Sequence, residues 1–208
     1  MSKEEKILFY DCKAEHGELS NFYKLRKKEA DFVYEGKNYS TSEHYYQAKK
    51  FDYLDASEVS KRYAEVIRTA KTPNIAFCFA NQVCNSPYPW AKAIRKTIKE
   101  YEDLGVSIDP GWNEKRDEVM YNAVLGKFQQ NQRLKTLLIN TYPKELVEHT
   151  HRDSYWADGG DGSGENKLGH TLMRVRDVLR NEVQPPLGKR HINKLTEPRE
   201  EPQIKRTK

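Results

Sequence analysis

The chain has 208 residues, of which 37% are hydrophobic and 11% aromatic, and its formal net charge at pH 7 is +5. This length fits one domain with a hydrophobic core, and the aromatic content argues against a disordered chain. The positive charge favours anionic partners such as nucleotides or nucleic acid. Three cysteines without a C-x-x-C pair argue against a disulfide framework and indicate a reducing compartment.

The two ends of the chain differ in character from its middle. The first residues contain no apolar run of signal-peptide length, and no segment reaches membrane-spanning length. We therefore expect a cytoplasmic or nuclear protein with no membrane partner. Residues 181–208 carry seven Lys/Arg, four Glu and four Pro, which predicts a disordered basic tail after a domain at residues 1–180.

In chain order, the sequence begins with β-like residues and then becomes helical. A short strand is predicted at 6–11 and a hairpin at 31–39, turning at Glu35-Gly36. Helices are predicted at 43–52, 56–70, from Thr72-Pro73 onward, 90–104, 113–128, 131–142 and 166–180, with a strand at 145–150. The sequence therefore predicts a mainly α single domain with a small β element near its N-terminus.

The first motif is "YSTSEHYYQAKKF" at residues 39–51. Ser40 precedes Glu43 by three residues, which is typical of a capping box and would make Glu43 a helix cap. Glu43, Gln47 and Lys50 are also spaced at i, i+4 and i+7, so they share one helix face. Such a stripe can face solvent or line a pocket, and both interpretations stay open at this point.

Two further segments hold polar residues with two possible roles. Ser20 and Asn21, in "HGELSNF", lie in a predicted loop and could bond their own backbone or the hydroxyls of a ligand. "DPGWNEKRDEVMYNAVLGKF" places Trp112 just before a helix and Lys127 near its end, where the lysine could be an ordinary solvated charge. His149 and His151 lack a third metal ligand at suitable spacing, so no metal site is predicted.

A glycine-rich loop, "YWADGGDGSGENKLG" at residues 155–169, contains five of the eleven glycines. It does not fit the phosphate-loop, dinucleotide or calcium-loop patterns. Gly159, Gly160 and Gly162 could instead turn backbone N–H groups inward as an anion-binding nest. The helix predicted from Asn166 would then point its N-terminus at the same phosphate.

The other side chains of this loop suggest contacts with the sugar and base of a ligand. Asp158 and Asp161 would repel a phosphate, so they are expected to face sugar hydroxyls or a cationic transition state. Trp156 offers a flat face to a base or ring.

Together these stretches resemble the YbiA-like family of the NADAR superfamily. The matching stretches run in family order from Phe9 to near Arg176. They are "GELSNF", "TSEHYYQAKKF", "DPGWNEKRDEVMYNAVLGKF", "LVEHT" and "YWADGGDGSGENKLGHTLMRVR". The resemblance implies a mainly helical N-glycosidase that cleaves a ribose N-glycosidic bond without a cofactor.

The resemblance also implies a set of site residues and two substrate classes. It places Glu43, Trp112, Trp156 and the Asp158/Asp161 loop at the site. Less defined roles are implied for Asn21, Gln47, Lys50, Lys127 and Asn166. The implied substrates are ADP-ribose attached to guanine in DNA or RNA, and early phosphoribosyl-type intermediates of riboflavin synthesis.

Cleavage of such a bond passes through an oxocarbenium-like state, which needs a nearby carboxylate and a proton for the departing base. Glu43 with Asp158 or Asp161 could supply both, by analogy with O-glycosidases. Alternatively, an unprotonated Lys50 could attack the anomeric carbon. The residues alone leave both routes open.

An ADP-ribosyl-guanine glycohydrolase is the leading expectation, because of the diphosphate-suited loop and the positive charge. An N-glycosidase of riboflavin intermediates is the alternative, disfavoured because no fused riboflavin enzyme is present in the sequence. A non-catalytic ADP-ribose-binding module is a third possibility. The retained acidic residues Glu43, Asp158 and Asp161 argue against it.

Overall fold

The fold was examined in a computed structural model, which describes residues 5–25 and 31–183. The helices there are α1 (Ser42–Lys49), α2 (Glu58–Arg68), α3 (Pro73–Ala80), α4 (Trp90–Asp103), α5 (Trp112–Gln129), α6 (Gln132–Asn140) and α7 (Lys167–Val183). The strands are β1 (Lys6–Phe9), β2 (Phe32–Tyr34), β3 (Lys37–Tyr39) and β4 (Glu145–Glu148). The predicted mainly α fold is confirmed. The disordered tail was predicted at 181–208, but residues 181–183 belong to α7, and the rest of that range lies outside the described residues.

Side-chain caps mark where several helices begin, and one of these caps differs from the sequence prediction. α3 begins at Thr72-Pro73 as predicted, with Thr72 as its cap and Pro73 in its first turn. The capping box expected from Ser40 to Glu43 is wrong, because Thr41 is the cap of α1 and its hydroxyl accepts from the His44 N–H. Glu43 therefore has no capping role, and its carboxylate is available for other partners.

The strands form two separate two-stranded sheets. β2 and β3 make the predicted antiparallel hairpin, with Glu35 and Gly36 at positive φ in its turn. β1 pairs in parallel with β4, from Lys6 beside Glu145 to Phe9 beside Glu148. The predicted β structure near the N-terminus therefore also includes a strand, β4, from much later in the chain.

Two hydrophobic clusters form the core, and α1 lies between them. The first includes Tyr63 and Ile67 of α2, and the second includes Leu146 of β4 and Leu172 of α7. Seven of the eight residues of α1 are buried, although most of them are polar. Polar groups removed from water need hydrogen-bond partners, so the neighbouring elements must supply them.

The outer edge of β4 is closed by a side chain instead of a third strand. The Glu148 N–H donates to Asn166 Oδ1 at 3.0 Å, and Asn166 Nδ2 donates to the Leu146 carbonyl at 2.9 Å. The Asn166 amide thus imitates the donor and acceptor of a neighbouring strand. Gly169, in the first turn of α7, lets the helix approach the Leu146 carbonyl so closely that a Cβ would overlap it.

Replacement of Gly169 by alanine tests this close approach. Alanine in a helix normally gains about 1 kcal/mol over glycine, but overpacking costs roughly 1–3 kcal/mol or more. Because the overlap involves backbone and the Asn166 amide, we expect Gly169→Ala to destabilise the domain by about 2 kcal/mol in urea unfolding. Gly111→Ala is the control, since its Cβ would meet no atom closer than 3.4 Å. Equal stability of the two variants would contradict the packing described here.

Candidate active site

Glu43 lies at the centre of the candidate site. Only 5% of its surface is exposed, and its Oε1 accepts a hydrogen bond from Gln47 Nε2 at 2.7 Å. Burial raises the pKa of this carboxyl to about 7, while the Gln47 hydrogen bond and the charge of Lys50 act against the rise. Glu43 can therefore hold or release a proton near neutral pH.

Lys50 follows α1 on the same face as Glu43 and Gln47. Its Nζ donates to Asn81 Oδ1 at 3.4 Å and lies 5.8 Å and 5.9 Å from the ring centres of Tyr46 and Trp112. Burial lowers the pKa of this amine, and the charge of Glu43 opposes the decrease. A lysine in such surroundings loses its proton more readily than one in water.

An aromatic wall borders these two groups. The Tyr46 ring lies 5.0 Å from that of Trp112 and 5.4 Å from that of Trp156, and Trp156 contacts Tyr155 edge to face. The Arg116 guanidinium lies 3.6 Å from the centre of the Tyr155 ring. Flat faces and a guanidinium of this kind suit a ligand that has both a ring and an anionic group.

A second carboxyl with a raised pKa lies at the end of β4. Burial raises the pKa of Glu148 to about 8, and the negative charges of Asp153, Glu43 and Asp158 add to the effect. Two acidic groups from different elements, Glu43 and Glu148, are thus brought within electrostatic reach of each other. Carboxyls in such a relation do not both ionise easily at neutral pH.

The glycine loop does not form the predicted phosphate nest. The N–H of Gly159 donates to the Asp153 carbonyl, that of Gly160 to Asp158 Oδ1, and that of Gly162 to the Asp158 carbonyl. The first N–H groups of α7 donate to the carbonyls of Tyr155 and Trp156. Because these donors are already used within the loop, none of them is free to bind an anion.

The aspartates of the loop also have partners inside it. Asp158 Oδ2 lies 2.8 Å from His149 Nδ1, and its Oδ1 accepts from the N–H groups of Thr150 and Gly160. Asp161 Oδ1 accepts from the Ser163 N–H. These bonds explain why the pKa of both carboxyls is lowered, against a larger desolvation effect in Asp158. Their predicted contact with the sugar stays a prediction.

The loop instead supports the residues around Glu43. Asp153 Oδ1 accepts from the N–H groups of Tyr155 and Trp156, which orients the aromatic wall. The Asp158 N–H donates to the Glu148 carbonyl at 2.9 Å, next to the Asn166 contacts described above. The loop therefore holds the end of β4, and with it Glu148, close to α1.

The segment containing Ser20 and Asn21 covers the start of α1. The Asn21 carbonyl accepts from the Glu43 N–H at 3.2 Å, and its side chain accepts from the Ser42 hydroxyl at 2.9 Å. Lys127 is fully buried behind this segment, and its Nζ donates to the Ser20 carbonyl at 2.8 Å. Their predicted contacts with substrate stay predictions, while the structure shows them holding Glu43 in position.

Several residues of this cluster, among them Tyr46 and Glu148, were not singled out from the sequence. Tyr46 follows Glu43 by three residues and therefore belongs to the same helix face, so the spacing could have identified it. Glu148 lies within "LVEHT", but an alternating strand pattern suggests an exposed acid. In the structure Glu148 is half-buried, and Leu146 and Val147, on opposite faces of β4, are both covered.

The histidine pair occupies the outer side of the loop. His149 contacts Asp158, whereas His151 is exposed. Within residues 5–25 and 31–183, no group of three His, Cys, Asp or Glu side chains could hold a metal ion. In the same ranges, none of the helices has the length and apolar character needed to cross a bilayer.

Comparison with known proteins agrees with this architecture. Residues 8–180 match the NADAR domain. The N-glycosidase YbiA of Escherichia coli strain K12 is 35% identical over 173 residues, which cover 83% of this chain and 88% of that protein. The chain therefore belongs to the NADAR family, as its motifs suggest.

Other relatives are named as riboflavin biosynthesis proteins or N-glycosidases. The riboflavin biosynthesis protein VVA0006 of Vibrio vulnificus is 36% identical over 85% of this chain and 39% of that protein. The N-glycosidase Npun_R5314 of Nostoc punctiforme is 29% identical over 84% of this chain and 93% of that protein. The NMR structure of E. coli YbiA aligns with a TM-score of 0.64 and 32% identity, covering 89% of this chain and 91% of that one.

Replacement of Lys127 by methionine tests whether burial lowers the pKa of the Lys127 amine. Burial lowers its pKa from 10.5 to about 7, so between these values the unfolded chain binds a proton that the folded chain releases. Its contribution to stability is therefore full above about 10.5 and lost as the pH falls through about 7. We expect wild-type stability, measured relative to Lys127→Met, to rise between pH 7 and 10 in urea titrations. If the stabilities of the wild type and Lys127→Met changed in parallel with pH, this prediction would be wrong. Lys61→Met, which replaces a lysine on the surface, is the control.

Proposed function

We propose that this protein is an N-glycosidase that hydrolyses a ribose N-glycosidic bond. The proposal is carried by one observation, the buried Glu43 carboxyl with a pKa of about 7 beside Lys50 and an aromatic wall. The N-glycosidase names of relatives that match most of the chain support the same reaction class.

In this reaction, the bond between the anomeric carbon and the base nitrogen breaks, and the base leaves with both bonding electrons. Protonated Glu43 donates its proton to the departing base, which removes the cost of releasing an anion. A water molecule then bonds to the anomeric carbon and loses a proton. The raised pKa of Glu43 suits it to the first step, because the acid form persists at neutral pH.

The developing positive charge on the sugar requires a negative group nearby. The charge of Asp153 acts on both Glu43 and Glu148, and that of Asp158 acts on Glu148, so these two aspartates favour a cation at this position. The Glu43 carboxylate that remains after the first step accepts the proton that the attacking water loses. Glu43 thus acts first as acid and then as base, while Glu148, whose pKa is raised further to about 8, keeps its proton more readily.

Unsatisfied polar groups indicate where a sugar could bind. Gln47 Oε1 is buried and has no hydrogen-bond partner among the residues that the structure describes. A ribose hydroxyl would supply the missing donor. Trp112 and Trp156 would then cover the base or the sugar ring, and Arg116 would face an anionic group of the substrate.

ADP-ribosyl-guanine in DNA or RNA is the substrate that we propose. The net charge of +5 and the guanidinium at the aromatic wall support an anionic substrate of this kind. A phosphoribosyl-type riboflavin intermediate is the second candidate, because a relative that covers 85% of this chain is named a riboflavin biosynthesis protein. Release of the free base from each substrate, offered separately, distinguishes the two.

The substitution Glu43→Gln tests the proposed acid. Glutamine keeps the length of the side chain and can accept the bond from Gln47, but it cannot donate a carboxyl proton. We expect single-turnover release of the base to fall by at least about a hundredfold. The melting temperature should change little.

Glu58→Gln is the matched control, because Glu58 also lies in the first turn of a helix but is exposed. Its turnover should equal that of the wild type. Near wild-type turnover in a folded Glu43→Gln variant would exclude Glu43 as the acid.

The pH profile distinguishes the acid route from attack by Lys50. If Glu43 must be protonated, kcat/KM is constant at acidic pH and falls about tenfold per unit above about pH 7. Attack by unprotonated Lys50 predicts the opposite slope, because the amine is protonated as the pH falls. We expect the first profile. The decrease in kcat/KM above about pH 7 should be absent from Glu43→Gln and should be retained in Lys50→Arg. A rate that rises with pH and is lost in Lys50→Arg would favour the lysine route.

A further inference from the structure

One segment within the folded domain is basic and contains no acidic residue. Residues 66–99 contain six Lys/Arg and no Asp or Glu. Removing these six from the totals of 36 basic and 31 acidic residues leaves the rest of the chain with a net charge of −1. The segment covers the end of α2, α3 and most of α4, so its cations lie on one contiguous part of the fold.

Exposed aromatic side chains accompany these cations. Tyr88 is 64% exposed and Trp90 is 45% exposed, in the loop before α4 and at its first residue. Phe77 of α3 is exposed as well. Large aromatic rings are normally buried, and rings left in water beside Lys/Arg are the combination that stacks on unpaired nucleobases.

The loop that carries these rings is braced from α4. Arg95 Nη1 donates to the carbonyls of Cys84 at 2.9 Å and Ser86 at 3.3 Å. The Val83 N–H donates to the Cys78 carbonyl at 3.2 Å, which holds the start of the loop against α3. A braced loop loses little conformational entropy when a ligand binds, which favours a preformed platform.

This surface borders the candidate active site. Asn81, at the end of α3, accepts the hydrogen bond from Lys50 Nζ at 3.4 Å. Lys92 of α4 is exposed and has no acidic partner within the described part of the chain. Lys96 and Lys99 contact Glu100 and Asp103 near the other end of α4. Lys92, two residues after Trp90, is therefore the lysine of α4 that is not neutralised by a carboxylate in the described part of the chain.

We infer that the surface formed by Phe77, Tyr88, Trp90 and Lys92 binds the unpaired strand that flanks the modified base. This inference rests on the proposed function and specifies that the substrate is single-stranded nucleic acid. The strand's phosphates match the cations, and its bases match the exposed rings. A second copy of the protein is disfavoured, because a symmetric contact would bring the same positive segments together.

The binding test uses the full chain and a short fluorescent oligothymidylate without any modification. We expect Tyr88→Ala and Trp90→Ala each to weaken binding about tenfold, as loss of one base–aromatic stack does. Lys92→Ala should reduce the slope of log K against log salt by about 0.7, because one phosphate contact is lost. Leu104→Ala, which also removes an exposed apolar side chain but at the far end of α4, is the control and should bind like the wild type.

The turnover test compares ADP-ribosylated guanosine as a mononucleoside with the same group in a single-stranded oligonucleotide. We expect Trp90→Ala to lower kcat/KM about tenfold on the oligonucleotide and to leave the mononucleoside unchanged. An equal loss on both substrates would overturn the inference, because it would indicate a structural defect.

The two proposals fail in different ways. If the wild type cleaves neither substrate, the proposed function fails, while the oligothymidylate measurements still decide whether the surface binds nucleic acid. Unchanged oligothymidylate affinity in Tyr88→Ala and Trp90→Ala would overturn the inference alone. It would also be overturned if the wild type bound no oligothymidylate at low salt but formed a dimer that Trp90→Ala disrupts, since the surface would then be a protein interface.

Discussion

The burial of a polar helix is the constraint on which the rest of this structure depends. α1 has cores on both sides, yet it carries a carboxyl, an amide and, just beyond its end, an amine. The carboxyl of Glu43 and the amide of Gln47 bond to each other within α1, and the amine of Lys50 donates to Asn81 at the end of α3. Gln47 Oε1, in contrast, is buried without a hydrogen-bond partner among the described residues.

The electrostatics of the site follow from bringing a second carboxyl to this helix. Glu148 comes from β4, so its position depends on β1, on the Asn166 amide and on the Asp158 backbone. Burial and mutual repulsion then keep Glu43 and Glu148 from ionising together, so one proton is retained near neutral pH. The polar contacts at the end of β4 thereby help to keep a carboxyl protonated beside α1 near neutral pH.

Helical periodicity was sufficient to predict the fold class, since the positions of α2, α4, α5 and α7 follow from apolar spacing. The stripe of Glu43, Gln47 and Lys50 was likewise predictable, because i, i+4 and i+7 spacing is local. The role of the glycine loop was not predictable, because the acceptors of its N–H groups, such as the Asp153 carbonyl, depend on tertiary contacts. The burial of Glu148 depends on elements far away in sequence, which no local pattern encodes.

The parallel pairing of β1 with β4 has a consequence for synthesis on the ribosome. The first strand emerges early, but its partner follows only after more than a hundred further residues, and the Asn166 amide that closes the edge comes later still. Contacts so distant in sequence form late in folding. A nascent chain that stops before residue 166 already contains Glu43 and Lys50 but has no closed strand edge to hold Glu148 beside them. The active geometry is therefore assembled only when translation of the domain is nearly complete.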